Sequence, residues 1–212
     1  MKKFDVIEFF DRCAPFWDEE MVRNETVIAE ILDCGGIRPG IDVLDVACGT
    51  GVLFPDYIKR NVDSLTGIDI SPAMASIAQK KFPSVNVICG DVEQYPFNQK
   101  FDAIIVYNAF PHFLDPTSLI RALSGLLKPS GRLTVAHGMS REQLLRHHSG
   151  AAQRVSIELI HEDELAEIMT ETDLFVDYKV SDHEKYIVSG FRNLQMTHTQ
   201  QNGFCGLPHN FI

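Results

Sequence analysis

The stretch Val43-Leu44-Asp45-Val46-Ala47-Cys48-Gly49-Thr50-Gly51 has the residue types of a ligand-binding turn. A β-branched run leads into small residues, which let a backbone approach a ligand and present amide groups at a helix start. Two kinds of ligand suit such a turn: a pyrophosphate, or a neutral or zwitterionic group. The dinucleotide pattern requires Gly-x-Gly-x-x-Gly. Here the spacing is Ala47-x-Gly49-x-Gly51, with Asp45 two residues ahead. A tight strand-to-helix turn also needs small residues for structural reasons alone. Further along, Asp69, Asp91 and Asn108 each follow an apolar run of their own. Carboxylates accept hydroxyl and amine donors strongly. The same residues suit plainer tasks, Asp69 as a helix cap and Gly90-Asp91 as a turn. Later come His112, then His137-Gly138-Met139-Ser140-Arg141, then His147-His148. Imidazoles suit proton transfer or metal binding, and a guanidinium suits an anion.

These residues need a scaffold that brings run ends together, and the sequence supplies one. Ile41–Ala47, Ser64–Ile70, Val85–Cys89, Phe101–Tyr107 and Arg132–Ala136 read as strands, the fourth almost continuously apolar, as in a strand covered on both faces. Helices are expected from Ser71-Pro72 to Lys81, from Ser118 to Leu127 and from Glu162 to Thr170. Leu174–Lys179 and Lys185–Val188 make a closing antiparallel hairpin. Residues 1–36 read as helix, break at Pro15, helix, with Phe4, Ile7, Phe9 and Phe10 on one apolar face. Strand–helix alternation predicts an α/β fold, doubly wound around a mostly parallel seven-stranded sheet, with ligands bound at the strands' carboxyl ends.

The chain of 212 residues carries 19 Lys and Arg against 29 Asp and Glu, a net charge of −10 with no basic block. That argues against nucleic acid or an anionic membrane as main partner and favours a small molecule. Cys13, Cys34, Cys48, Cys89 and Cys205 show no Cys-x-x-Cys pair, so no zinc knuckle or thioredoxin-type site is expected. Scattered cysteines of this kind fit a reduced, cytoplasmic protein. The first residues turn acidic before any apolar run, so they do not read as a signal peptide, and no apolar stretch is of membrane-spanning length.

The turn at 43–51, with Asp69, Asp91-Val92 and Asn108 in order after successive strands, resembles the class I S-adenosylmethionine-dependent methyltransferases, a Rossmann-like family. The resemblance covers about residues 40–190 and departs at Ala47, where the family has glycine. It implies that S-adenosylmethionine is the cofactor and S-adenosylhomocysteine the product. It places Asp45, Ala47, Cys48, Gly49 and Gly51 in the cofactor turn. Asp69 and Ile70 fall at the ribose, Met74, Asp91 and Val92 at the adenine, and Asn108 beside the methionine part. The segment Phe9-Phe10-Asp11-Arg12-Cys13-Ala14-Pro15-Phe16-Trp17-Asp18 is similar to the aromatic-plus-Asp start of the ubiquinone/menaquinone-biosynthesis branch, which implies a lid over residues 37–190.

Trp17, Phe110, His112, His137 and Arg141 are then expected to line the acceptor pocket, with His112 as candidate base. Asn108-Ala-Phe-Pro-His112 departs from the Asn-Pro-Pro-aromatic motif of nucleic-acid methyltransferases, again favouring a small-molecule acceptor. If the later loop folds back, His112, His137 and His147 or His148 can converge on a metal. Their spacing matches no metal motif, so separate roles and no metal are expected. A monomer or homodimer fits this reading. A cofactor-binding sensor and a nicotinamide-dependent oxidoreductase are the alternatives. The tail, residues 191–212, matches no element of the fold.

Overall fold

The computed structural model describes residues 2–147 and 151–192. The chain runs α1 (Lys3–Cys13), a 3₁₀ turn (Ala14–Phe16), α2 (Trp17–Glu20), α3 (Glu25–Cys34), β1 (Asp42–Val46), α4 (Phe54–Lys59), β2 (Ser64–Asp69), α5 (Pro72–Lys81), β3 (Asn86–Cys89) and β4 (Phe101–Tyr107). A 3₁₀ turn (Phe110–His112), α6 (Pro116–Gly125), β5 (Leu127–His137), α7 (Arg141–His147), a 3₁₀ turn (Ala151–Val155), α8 (Glu162–Thr170), β6 (Leu174–Ser181) and β7 (Tyr186–Arg192) complete it.

The seven strands form one sheet in the order β3-β2-β1-β4-β5-β7-β6, with β7 antiparallel to both neighbours and the rest parallel. The order reverses between β1 and β4, so the chain leaves these two strands in opposite directions and opens a crevice at their carboxyl ends. Alternation on the central strands feeds two cores. Leu44, Val46, Ile104 and Val106 face α6 and α8 residues such as Leu119, Leu123 and Leu165. Val43 and Ile105 face Ile28, Ile31, Phe54 and Tyr57. Every residue of β4 except Asp102 is buried, as its apolar run demands.

Helix starts follow local chemistry. The Ser71 hydroxyl accepts from the Met74 amide, with Pro72 in the first turn of α5. Asp115 caps α6 and Pro116 opens it, so that helix starts before Ser118 and ends at Gly125. The fifth strand, expected from Arg132, begins at Leu127, so that residues 128–131 lie inside it. Phe101 pairs with Leu127, and pairing resumes at Ala103 with Arg132, leaving a bulge between. At the other end, Phe4 is 70% exposed, and Val6 is the buried residue of α1. Cys89 is exposed because β3 is an edge strand, not the buried strand its apolar composition suggests. Strand β7 runs through Arg192, and the remaining tail lies outside the described residues. Among the described residues no helix is long and apolar enough to cross a membrane.

Candidate functional site

The backbone makes the site before any side chain does. Beyond β1, Ala47, Gly49 and Gly51 take left-handed φ angles of 53°, 56° and 83°, and beyond β4 Asn108 takes 54°. For a residue with a Cβ this costs about 1–2 kcal/mol, and such positions cluster where a chain must turn around a ligand. Gly51 is constrained twice over. A Cβ there would stand 2.7 Å from Phe54 Cδ2 and 3.1 Å from Phe82 Cδ2. Gly51→Ala should lower unfolding free energy by about 2–3 kcal/mol. Urea unfolding checks this, and an unchanged midpoint would contradict it.

Asp69, at the end of β2, ties the turn to α5. Its Oδ2 accepts from the Gly49 amide and its Oδ1 from the Ser71 amide, each at 2.8 Å. Burial raises its carboxyl to about 6. The two amides pull the other way, and Asp11 adds a smaller upward push. Asp91, after β3, accepts from Lys3 Nζ at 2.6 Å, and the same ammonium reaches Glu93 Oε2 at 2.7 Å. Asn108 accepts from the Gly138 amide at 2.9 Å, which fixes the β4 turn against the β5 turn.

Between these turns lies a cleft of about 980 Å³, part of it open to solvent. Ala47, Cys48, Gly49, Asp69, Ile70, Met74, Asp91, Val92, Asn108, His112 and Trp17 all line it, drawn together from positions scattered along the sequence. Phe10, of the segment expected to form the lid, also lines it, as do Lys3, Met21, Glu93, Tyr107 and Phe113, which the sequence did not single out. The charged groups of the lining are Asp69, Asp91, Glu93 and Lys3, and Lys3 is engaged by two of those acids.

The N-terminal segment crosses the cleft and is pinned at several points. Asp11 Oδ1 accepts from the Ser71 hydroxyl at 2.5 Å and the Ala73 amide at 3.1 Å. Asp18 accepts from the Thr50 hydroxyl at 2.5 Å and pairs with Lys81 at 2.6 Å. The Phe10 ring meets Trp17 and His112 edge-on, with centroids 5.6 Å and 4.8 Å apart. His112 Nδ1 lies 2.9 Å from the Val155 carbonyl and 3.2 Å from the Ser156 hydroxyl. A carbonyl oxygen only accepts, so Nδ1 carries the proton and Nε2 of the neutral ring carries the lone pair.

Five expected site residues fall elsewhere. Asp45 lies under the turn, fully buried. Its Oδ2 has no partner among the described residues, and burial with the Asp69 charge pushes its carboxyl well above the usual range. Gly51 is wedged against Phe54 and Phe82. Phe110 belongs to the core beneath α6. His137 is fully buried opposite Tyr186, its partner across β5 and β7, with ring centroids 6.1 Å apart. Arg141 donates through Nε and Nη2 to the Leu159 carbonyl at 3.2 Å and 3.1 Å. His112 lines the cleft and His137 does not, and His148 lies outside the described residues. Among those described, no three His, Cys, Asp or Glu side chains could hold a metal ion.

Residues 43–131 match the family described as a methyltransferase domain. This stretch, from β1 to the bulge of β5, is thus a methyltransferase domain of the class I topology, and the chain resembles the quinone-biosynthesis members of that class. A demethylmenaquinone methyltransferase of Renibacterium salmoninarum is 29% identical over 141 residues, covering 62% of this chain and 58% of that protein. The chain spans less of other curated relatives, 39% and 34% in two cases. Among solved structures, magnesium protoporphyrin IX methyltransferase from Synechocystis PCC 6803 with bound SAH superposes with a TM-score of 0.69 at 18% identity, covering 90% of this chain and 99% of that one. The [4+2]-cyclase SpnF superposes with a TM-score of 0.73 at 17% identity, over 91% of this chain and 97% of that one. At such identities the likeness is one of fold, and one fold hosts several chemistries.

Proposed function

We propose that the protein is an S-adenosylmethionine-dependent methyltransferase acting on a small-molecule acceptor held beneath its N-terminal segment. The observation that carries this reading is the charge of the cleft: three carboxylates against one ammonium that two of them already engage. A dinucleotide would set its pyrophosphate in that negative field, whereas a nucleoside joined to a cationic sulfonium and a zwitterion is suited to it.

The residues present fit such a ligand. Each Asp69 oxygen accepts one amide bond and keeps a further lone pair, which suits paired sugar hydroxyls. Ile70, Met74 and Val92 give apolar walls for a base, and Asp91 beside them accepts an amine. Ala47, Cys48 and Gly49 bring backbone close on the methionine side, together with Asn108. When bound, S-adenosylmethionine supplies a methyl group on a positively charged sulfur, open to in-line attack. The protein's task is to align the attacking atom and exclude water. Phe10, Trp17 and Met21, brought in by residues 1–36 acting as a lid, do the excluding. His112 accepts the proton that a hydroxyl or amine acceptor must lose.

Incubation with methyl-labelled S-adenosylmethionine and a panel of quinols, phenols, amines, thiols and tetrapyrroles tests this reading. Label in at least one member is expected. Label in none, despite tight S-adenosylhomocysteine binding, would favour a binding or sensing role.

A further inference from the structure

We propose that Arg141 is a positioning residue that acts on His112 through the strap of residues 153–159. The inference rests on the reading of His112 as proton acceptor and adds how its reactive nitrogen is chosen. The turn carrying His112 would leave that choice open, because it fixes the ring's place and not which nitrogen is protonated. The strap settles it, because the Val155 carbonyl sits 2.9 Å from Nδ1.

The strap is held at two points. Near His112, the Ile157 amide donates to the Pro111 carbonyl at 2.8 Å, next door to the ring. At the far end, Arg141 grips the Leu159 carbonyl with two donors of one guanidinium. Bonds from a charged donor are stronger than neutral ones, and the fork fixes direction as well as distance. Val155 and Leu159 bury their side chains, and of the three residues between them only Glu158 is exposed. Release of that clamp loosens the Leu159 end of the strap. Loss of the clamp frees the Val155 carbonyl to drift from Nδ1, and the neutral ring then exchanges between tautomers. An acceptor served by Nε2 must carry a proton to lose, which selects hydroxyls and protonated amines over thioethers.

Two-dimensional ¹⁵N–¹H spectra of the imidazoles, at about pH 8 where the usual imidazole is neutral, read the tautomer directly. His112→Asn assigns the signal. In the unmutated protein Nδ1 should show the protonated shift and Nε2 the unprotonated one. Arg141→Met should give averaged shifts, and Arg141→Lys should restore most of the difference, since a single ammonium still donates to Leu159. An Nε2-protonated ring in the unmutated protein overturns the proposal without any variant having to fold. So does an Arg141→Met spectrum identical to the unmutated one. Calorimetry with S-adenosylhomocysteine runs beside it and tests the cofactor reading separately. Arg141→Met should keep that affinity within about twofold, and a larger loss would overturn the assignment by giving Arg141 a different role.

Discussion

Asp69→Ala should weaken S-adenosylhomocysteine binding by about 100-fold or more, roughly 3 kcal/mol. The carboxylate is 7% exposed and holds the Gly49 and Ser71 amides together at the cleft floor. Truncation leaves the buried Ser71 amide unpaired, at a cost of about 1–3 kcal/mol, frees the half-buried Gly49 amide, and removes the acceptor proposed for the sugar hydroxyls. Asp69→Asn keeps the volume but turns an NH₂ toward one of those donors, so it should fall between the two. Calorimetry on folded samples separates affinity from stability. An Asp69→Ala protein that binds like the unmutated one would remove this residue from the site.

The same carboxyl gives a pH signature with two opposite signs. Asp69 is pushed up to about 6 from an ordinary 3.8, chiefly by burial. Because the folded state holds the proton more tightly than the unfolded one, protonation favours the fold. This group's contribution is fully present below the unfolded value and is lost as pH rises through about 6, a change of about 3 kcal/mol. Hydroxyl recognition needs the ionised form. S-adenosylhomocysteine affinity should therefore rise from pH 5 to pH 7 and level off above. Affinity flat across that range would contradict the role given to Asp69.

His112→Ala should cut methyl transfer to a responsive panel acceptor by about 10²–10⁴-fold, the usual size of general-base assistance. S-adenosylhomocysteine affinity should stay within about threefold, because His112 packs on Phe10 of the lid and bonds Val155 of the strap, whereas the nucleoside end is assigned to Asp69 and Asp91. Loss of the Phe10 contact adds a small stability cost of about 1 kcal/mol. Unchanged turnover in this variant would strip His112 of its proton-transfer role and leave it a joint between three segments.

The sheet and the floor of the cleft were legible because both depend on short-range pattern. Asp69, Asp91 and Asn108 sit where strands end, and strand ends announce themselves by the stop of an apolar run. Roof contacts are another matter. Lys3 meets Asp91 across 88 residues, and His112 meets Val155 across 43. No local spacing encodes either contact, since both depend on how two segments are laid over the finished sheet edge. Arg141 failed as a pocket residue for that reason: its partner is a backbone carbonyl, which leaves no mark in the sequence. His137 is different, because its burial could have been read. Leu133, Val135 and His137 alternate on one face of β5, and the first two belong to the core. Following the alternation one step further puts His137 inside, against Tyr186, and not over the cleft.

Titration of the unmutated protein at pH 7.5 with S-adenosylhomocysteine and, separately, with NADH puts the weight of the whole account on one comparison. Saturable one-to-one binding of S-adenosylhomocysteine with a dissociation constant of about 10 μM or less, and much weaker binding of NADH, is the expected result. No saturable heat with the first ligand, or tighter binding of the second, would contradict it.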